Sequence, residues 1–251
     1  MTPTTMLTLS GRYYRLFPSF DNPLGHAEEQ LELDPARTGF LIVDAYGKGF
    51  DDDGDAGDGR TGIYTPDPVI RQIVREHIVP ARDAARRAGL PVVHVTNHLS
   101  PGLAEGTEWR NLSMRTCDVD VLQAWREPND VLAYSKVVEP GPGEPLIRKQ
   151  MYSGFYETTL DSTLRARDIA NLVVVGFDSR ICLGNTVTEA MYRGYRVIVL
   201  RDCVRTFEYP ETREGELANL LAIRYIESNV GYTATSAEFV AACARLAAER
   251  A

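Results

Sequence analysis

Cys182 stands where an apolar run, Leu172-Val-Val-Val-Gly-Phe177, passes through a polar turn, Asp178-Ser-Arg, into a pattern that reads as a helix beginning at the thiol. Amides of a helix's first turn lack internal acceptors and carry partial positive charge, so they stabilise a thiolate and any oxyanion formed beside it. The placement predicts the nucleophile of a cysteine hydrolase. Cys117, Cys203 and Cys243 read instead as small packed side chains: Cys243 lies in the helical run Glu238–Ala247 and Cys203 closes the apolar run that starts at Arg196.

A nucleophilic thiol needs a base and a charge partner, and the chain offers both at the ends of other apolar runs. Asp44 follows Phe40-Leu-Ile-Val43, and Lys149 ends Pro145-Leu-Ile-Arg-Lys. Lysine is scarce, three against 24 arginines, and its compact ammonium tunes its pKa more readily than guanidinium does, which gives a lysine at this position a chemical reason.

The elements that must position these groups alternate. Strands are predicted at 38–44, 91–96, 145–149, 172–175 and 196–200. A helix is predicted over 68–88, stopped by Gly89, and another over 158–168, capped by Thr158 or Thr159. Such alternation predicts an α/β fold, a doubly wound, mostly parallel sheet with helices on both faces. Ligands of such sheets bind at the carboxyl ends of the strands, so Asp44, Lys149 and Cys182 are expected to converge on one crevice.

A chain of 251 residues, 44% hydrophobic, can bury a large core, and one hydrolase domain is expected over 37–251. Residues 1–36, broken by Pro18, Pro23 and Pro35, read as an irregular arm that wraps a neighbour or covers the site. The first residues lack a charged segment followed by an apolar one, and no apolar run approaches the ~20 residues of a membrane helix. Four cysteines without paired spacing point to the reducing cytoplasm. A net charge of −8 with no basic stripe excludes nucleic acid and favours a small-molecule substrate.

The chain resembles the isochorismatase-like cysteine hydrolases across residues 36–248. Three blocks carry the resemblance: Leu41-Ile-Val-Asp44, Lys149-Gln-Met-Tyr-Ser-Gly-Phe-Tyr-Glu-Thr-Thr-Leu-Asp161, and Val174-Val-Gly-Phe-Asp-Ser-Arg-Ile-Cys182 with Thr186, Ala190 and Gly194 after it. The resemblance implies an Asp-Lys-Cys triad on Asp44, Lys149 and Cys182. It also implies a cis peptide between Phe177 and Asp178, with the backbone amides of Asp178 and Cys182 as oxyanion donors. Many relatives carry alanine where Asp178 stands, and a carboxylate there requires screening by Arg180 or solvent.

Within the family the resemblance is to bacterial ureidoacrylate amidohydrolases, through Tyr152-Ser-Gly-Phe-Tyr-Glu-Thr-Thr-Leu-Asp161. It implies a ureido or amide C–N bond as target, with Asn97, Glu105 and Tyr152 contacting substrate and His98 and Phe177 beside them. Two positions depart from that pattern: Leu99 replaces a tryptophan, and Ala45-Tyr-Gly-Lys-Gly-Phe50 replaces the usual methionine and glutamine. Further copies of the chain, as a dimer or tetramer, are expected as partners.

Nicotinamidases of this family hold a metal through an aspartate and two histidines. His94 and His98 lie four apart on an extended segment without the clustered aspartate, so no metal and no other cofactor is expected. The acidic run Asp51-Asp-Asp-Gly-Asp-Ala-Gly-Asp-Gly59 does not make a calcium loop, because Ala56 stands where glycine is obligatory and Gly62 where the bidentate glutamate belongs. It reads as a solvated rim loop. Hydrolysis of another small amide, of nicotinamidase or N-carbamoyl amino acid type, and a non-catalytic binding scaffold are the alternatives. Isochorismatases proper lack the cysteine, and a scaffold would be expected to have lost a triad position.

Overall fold

Each apolar run becomes a strand, and along it successive side chains enter opposite cores. In β3 (Thr38–Val43), Phe40 and Ile42 join one layer while Leu41 and Val43 join the other, the period-two geometry of a strand buried on both faces. The computed structural model describes residues 5–17, 24–46, 68–98, 105–117, 120 and 134–250; Leu99 and the acidic run 51–59 lie outside them.

The described strands are β1 (Leu7–Arg15), β2 (Gly25–Leu33), β3, β4 (Val92–Asn97), β5 (Leu146–Lys149), β6 (Asn171–Phe177), β7 (Arg196–Arg205) and β8 (Tyr232–Ala234). They form one eight-stranded sheet in the order β2-β1-β8-β7-β6-β3-β4-β5. All neighbours from β8 to β5 pair parallel, while β1 is antiparallel to both β2 and β8. The chain builds outward from β3 to β4 and β5, then returns to the other side of β3 to lay down β6 and β7. That reversal places the topological switch point between β3 and β6.

Helices cover both faces. One layer packs α1 (Pro68–Ile73), a π turn at Val74–Ile78 and α2 (Val79–Arg87) with α7 (Ser236–Glu249); Ile78, Ala81, Phe239 and Leu246 lie in its core. The π turn has a local cause. Pro80 has no amide to give the carbonyl four residues back, and the ladder widens so that the Val79 amide reaches Val74 O. The opposite layer holds α4 (Leu160–Arg165), α5 (Cys182–Tyr192) and α6 (Leu217–Asn229), through Leu164, Leu183, Val187 and Ile226. The short α3 spans Glu108–Cys117. Among the described residues no helix is long and apolar enough to cross a membrane.

Three expectations are corrected. Residues 7–33 are not irregular: β1 and β2 pair as a nine-residue hairpin whose Leu7, Leu9, Leu31 and Leu33 enter the core. Pro18 and Pro23 fall between the two strands and Pro35 after them, so the prolines bound the strands rather than break them. The predicted helix over 158–168 is regular only across Leu160–Arg165. Cys203 does not close its strand, since β7 runs on to Arg205.

Candidate active site

Strand order dictates which groups can meet. Asp44 follows β3, Asn97 ends β4 and Lys149 ends β5, three adjacent strands, with Asn97 and Lys149 directly opposite each other in register. Cys182 opens α5 after β6, on the other side of β3. The groups therefore straddle the switch point.

Side chains complete the approach. Lys149 Nζ lies 2.8 Å from Asp44 Oδ2, and both side chains are withdrawn from solvent. Asn97 sits between them: its Oδ1 accepts from Lys149 Nζ, and its Nδ2 donates to Tyr46 OH and, at 3.4 Å, to Asp44 Oδ2. Asp44 takes the left-handed conformation, φ 50°, which aspartate tolerates better than most residues; its amide is held by Val95 O at 2.9 Å. Its second oxygen, Oδ1, is buried without a hydrogen-bond donor.

Burial alone would push the Lys149 pKa down, but the Asp44 carboxylate against it raises it instead, so the ammonium persists. Burial pushes the Cys182 thiol up. The Asp44 carboxylate pushes it further, and Lys149 pulls it back only in part. The resting thiol is thus protonated, which differs from the thiolate suggested by its place at a helix start. Burial and the adjacent carboxylate both act against the thiolate that a helix start favours.

The loop into α5 is built for a close approach. Gly176 has φ 118°, and a Cβ there would meet Val43 O at 2.0 Å, so only glycine lets β6 press against the end of β3. The Phe177–Asp178 peptide is cis. The Asp178 carbonyl accepts from the amides of Ile181, Leu183 and Gly184, and among the described residues no acceptor is paired with the amides of Asp178 and Cys182. Burial pushes the Asp178 carboxyl upward, yet it accepts from the Arg180 amide at 2.9 Å and the Phe207 amide at 3.4 Å. These backbone donors, with the Arg180 charge, engage the carboxylate for which screening was expected.

Other expected residues are placed less centrally. Phe177 is buried in the core layer that also holds Ala45 and Tyr46. His98 is exposed, and its amide donates to Lys149 O at 2.7 Å. Tyr152 and Glu105 are exposed, the latter in charge contact with Arg110. Buried His94 is engaged by Tyr134 OH and Glu144. Cys203 and Cys243 are buried free thiols; the Cys117 side chain lies outside the description. Two participants were given no role by the sequence. Tyr46 reaches Asn97 from two residues beyond Asp44, and Thr186 accepts from the Gly154 amide while donating to Cys182 O, tying the segment after Lys149 to the first turn of α5.

Comparison with known proteins adds an independent finding. The isochorismatase domain profile matches residues 64–238, which include Lys149 and Cys182 and begin after Asp44. Ureidoacrylate amidohydrolase RutB of Methylobacterium radiotolerans is 30% identical over 223 residues, 85% of this chain and 82% of that protein. RutB of Methylorubrum extorquens (strain DSM 6343) is 33% identical over 188 residues, 70% of each. Among solved structures, a cysteine hydrolase from Pseudomonas syringae pv. phaseolicola 1448A matches with TM-score 0.70 at 24% identity, covering 85% of this chain and 95% of that one.

Proposed function

The chain belongs to the isochorismatase family, and from that membership we propose that it is a cysteine amidohydrolase that opens a C–N bond of a small ureido or amide substrate in the cytoplasm, working as an assembly of identical chains. The observation that carries this reading is the buried Asp44–Lys149 pair beside the buried Cys182 thiol, with one Asp44 oxygen left without a donor.

Asp44 takes the thiol proton as Cys182 Sγ attacks the carbonyl carbon, and Lys149 balances the negative charge that passes from carboxylate to sulfur. The carbonyl electrons move onto oxygen, where the amides of Asp178 and Cys182 receive the oxyanion. Collapse breaks the C–N bond, and Asp44 returns its proton to the leaving nitrogen. Water then loses a proton to Asp44 and attacks the thioester, the C–S bond breaks, and the thiol is restored. A ureido substrate leaves carbamate, which decomposes to ammonia and carbon dioxide. Asn97, with its amide occupied by Lys149, Asp44 and Tyr46, is assigned to holding the pair rather than to the substrate; Glu105 and Tyr152 are left as the polar groups for a ureido head.

Ammonia release from a panel of ureido acids and primary amides tests the reading. A ureido acid turned over by the wild-type chain and untouched by Cys182→Ala is the expected result. Full activity in Cys182→Ala, or no C–N substrate in the panel, would overturn it. Glu105→Ala should impair ureido substrates more than simple amides, because truncation removes the acceptor for the ureido N–H groups.

A further inference from the structure

Lys149 Nζ carries three protons, and it meets Asp44 Oδ2 at 2.8 Å, Asn97 Oδ1 and the Cys182 sulfur. The N–H bonds of an ammonium point to the corners of a tetrahedron, so fixing two of them aims the third. Where Asn97 Oδ1 stands therefore decides whether a Lys149 proton points at sulfur. An amide is planar, and Oδ1 stays on Lys149 only while Nδ2 finds acceptors on its other side. Asn97 is buried, and its Nδ2 has two acceptors among the described residues: Tyr46 OH, and Asp44 Oδ2 at 3.4 Å, a long contact.

We infer that Tyr46 is a positioning residue of this cluster: its hydroxyl holds Asn97 Nδ2, and Asn97 Oδ1 in turn keeps the Lys149 ammonium aimed at Cys182. Its effect on turnover rests on the hydrolase reading; its effect on the thiol does not. Without the hydroxyl, Asp44 Oδ2 is the remaining described acceptor for Nδ2, and a buried donor does not stay unmade where an acceptor is near. The amide then turns toward the oxygen that Lys149 already holds, and Oδ1 leaves the ammonium. The ion pair survives, but its third N–H loses its aim.

The hydroxyl is placed by the core. Tyr46 is 2% exposed, in the layer of Phe40 and Ile42. Its backbone forms an antiparallel bridge with Tyr134, and Ala45 O accepts from the Ser135 amide at 2.9 Å. Two tyrosines of one bridge thus reach β4. Tyr46 OH meets Asn97, while Tyr134 OH lies 2.9 Å from His94 Nδ1 and continues through His94 to Glu144 and Arg86, a network without a reactive group. Tyr46 also falls in the segment Ala45–Phe50, where this chain departs from the amidohydrolase pattern.

Tyr46→Phe removes one oxygen and keeps the ring. On a C–N substrate it should lower kcat about 10–100-fold, the scale of a misplaced catalytic group, with KM within about twofold because Tyr46 is not assigned to substrate. Lys149 favours the Cys182 thiolate, so alkylation of Cys182 by iodoacetamide at about pH 8 should slow by about fivefold or more, with Cys203 and Cys243 unchanged. Asn97→Ala should lose at least as much, and adding Tyr46→Phe to it should lose little further, since one acts through the other. Tyr134→Phe, which removes the sister hydroxyl, should leave kcat and alkylation within about twofold of wild type. Urea unfolding checks that each variant is folded. If Tyr46→Phe is not, Tyr46→Met fills the space without a hydroxyl and gives the same readings. A folded variant with wild-type kcat or a wild-type alkylation rate, losses matched by Tyr134→Phe, or losses additive with those of Asn97→Ala would overturn the inference. Slowed alkylation in a chain that turns over no C–N substrate would uphold the positioning by Tyr46 and overturn the hydrolase reading instead.

Discussion

Two buried carboxylates, Asp44 and Glu227, stand in opposite halves of the sheet and are treated differently. Glu227 closes the hairpin against α6. Its Oε1 accepts from Arg12 at 2.7 Å and Thr233 at 2.7 Å, its Oε2 from Arg224 at 3.0 Å, and His26 lies 3.1 Å from that oxygen. Burial pushes its pKa up, but Thr233, Arg12 and His26 bring it below the ordinary carboxylate range. Asp44 has donors on Oδ2 alone, Lys149 and Asn97, and none on Oδ1. A buried acceptor without a donor costs ~1–3 kcal/mol, so a fold that satisfies every lone pair at Glu227 and leaves one empty at Asp44 keeps a place for a proton beside a thiol. Under the proposed mechanism, saturation marks a fastening and its absence a reactive position.

The largest effects test the unsaturated cluster. Cys182→Ala should lower C–N hydrolysis by on the order of 10⁵-fold or more, while Asp44→Asn and Lys149→Ala should each cost about 10²–10⁴-fold. Adding either change to Cys182→Ala should lose little further rate, because residues that act as one unit are not additive. Ammonia assays on the single and double variants measure this, and additive losses would break the unit apart.

Glu227→Gln should do the reverse. It strands Arg12 and Arg224 next to a neutral amide, and the expected loss is about 2–3 kcal/mol in urea unfolding, under the ~3–5 kcal/mol of a wholly buried pair because those arginines keep 26% and 30% side-chain exposure. Hydrolysis should stay within about threefold of wild type, since the cluster has no free lone pair to take part. A rate collapse with stability intact would erase the distinction between the two carboxylates.

The two halves were also unequally legible in the sequence. Asp44, Lys149 and Cys182 each end or follow an apolar run, and runs buried on both faces announce parallel strands, so the convergence of the three on one crevice was expected before any geometry. The hairpin could not. In β2, Glu28, Glu29 and Glu32 face solvent and only Leu31 and Leu33 are fully buried, which leaves too little alternation to mark an edge strand. β8 is three residues long. Asn97 was visible at a strand end, but its link to Lys149 depends on the register of β4 against β5, and Tyr46 follows only from where the chain turns after β3.

The contrast sharpens with pH. Because burial and the Asp44 charge hold the Cys182 thiol above its ordinary range, its thiolate fraction in the resting chain should rise about tenfold per pH unit. Alkylation of Cys182 by iodoacetamide should therefore climb from pH 7 to about 9 without a plateau. It should still outpace Cys203 and Cys243, which are more fully buried. A plateau below about pH 8 would mean that a thiolate already rests there and that Asp44 need not take its proton.

The smallest effect concerns Glu144, which lies between the extremes: close to the site through His94 and Tyr134, yet saturated like Glu227. It accepts from Arg86 Nε at 2.8 Å, Arg86 Nη2 at 2.7 Å and the Gly141 amide at 2.8 Å, with His94 Nε2 at 2.9 Å. Burial pushes its pKa up, but these donors prevail and hold it at about 2, against 4.5 for a free glutamate. A carboxyl depressed in the folded state adds stability in full above the free value and loses it as pH falls from 4.5 toward 2. His94 acts in the same direction: burial lowers its pKa below 6.5 despite Glu144, so acid protonates the unfolded chain first and weakens the fold. Glu144→Gln should therefore cost about 1–2 kcal/mol at neutral pH, and the gap from wild type should close as pH approaches about 2. Urea midpoints across pH measure the gap, and hydrolysis at neutral pH should change less than about threefold. A fall in rate as steep as that of Asp44→Asn would place the Arg86–Glu144–His94–Tyr134 chain inside the catalytic unit, and saturation would no longer separate fastening from chemistry.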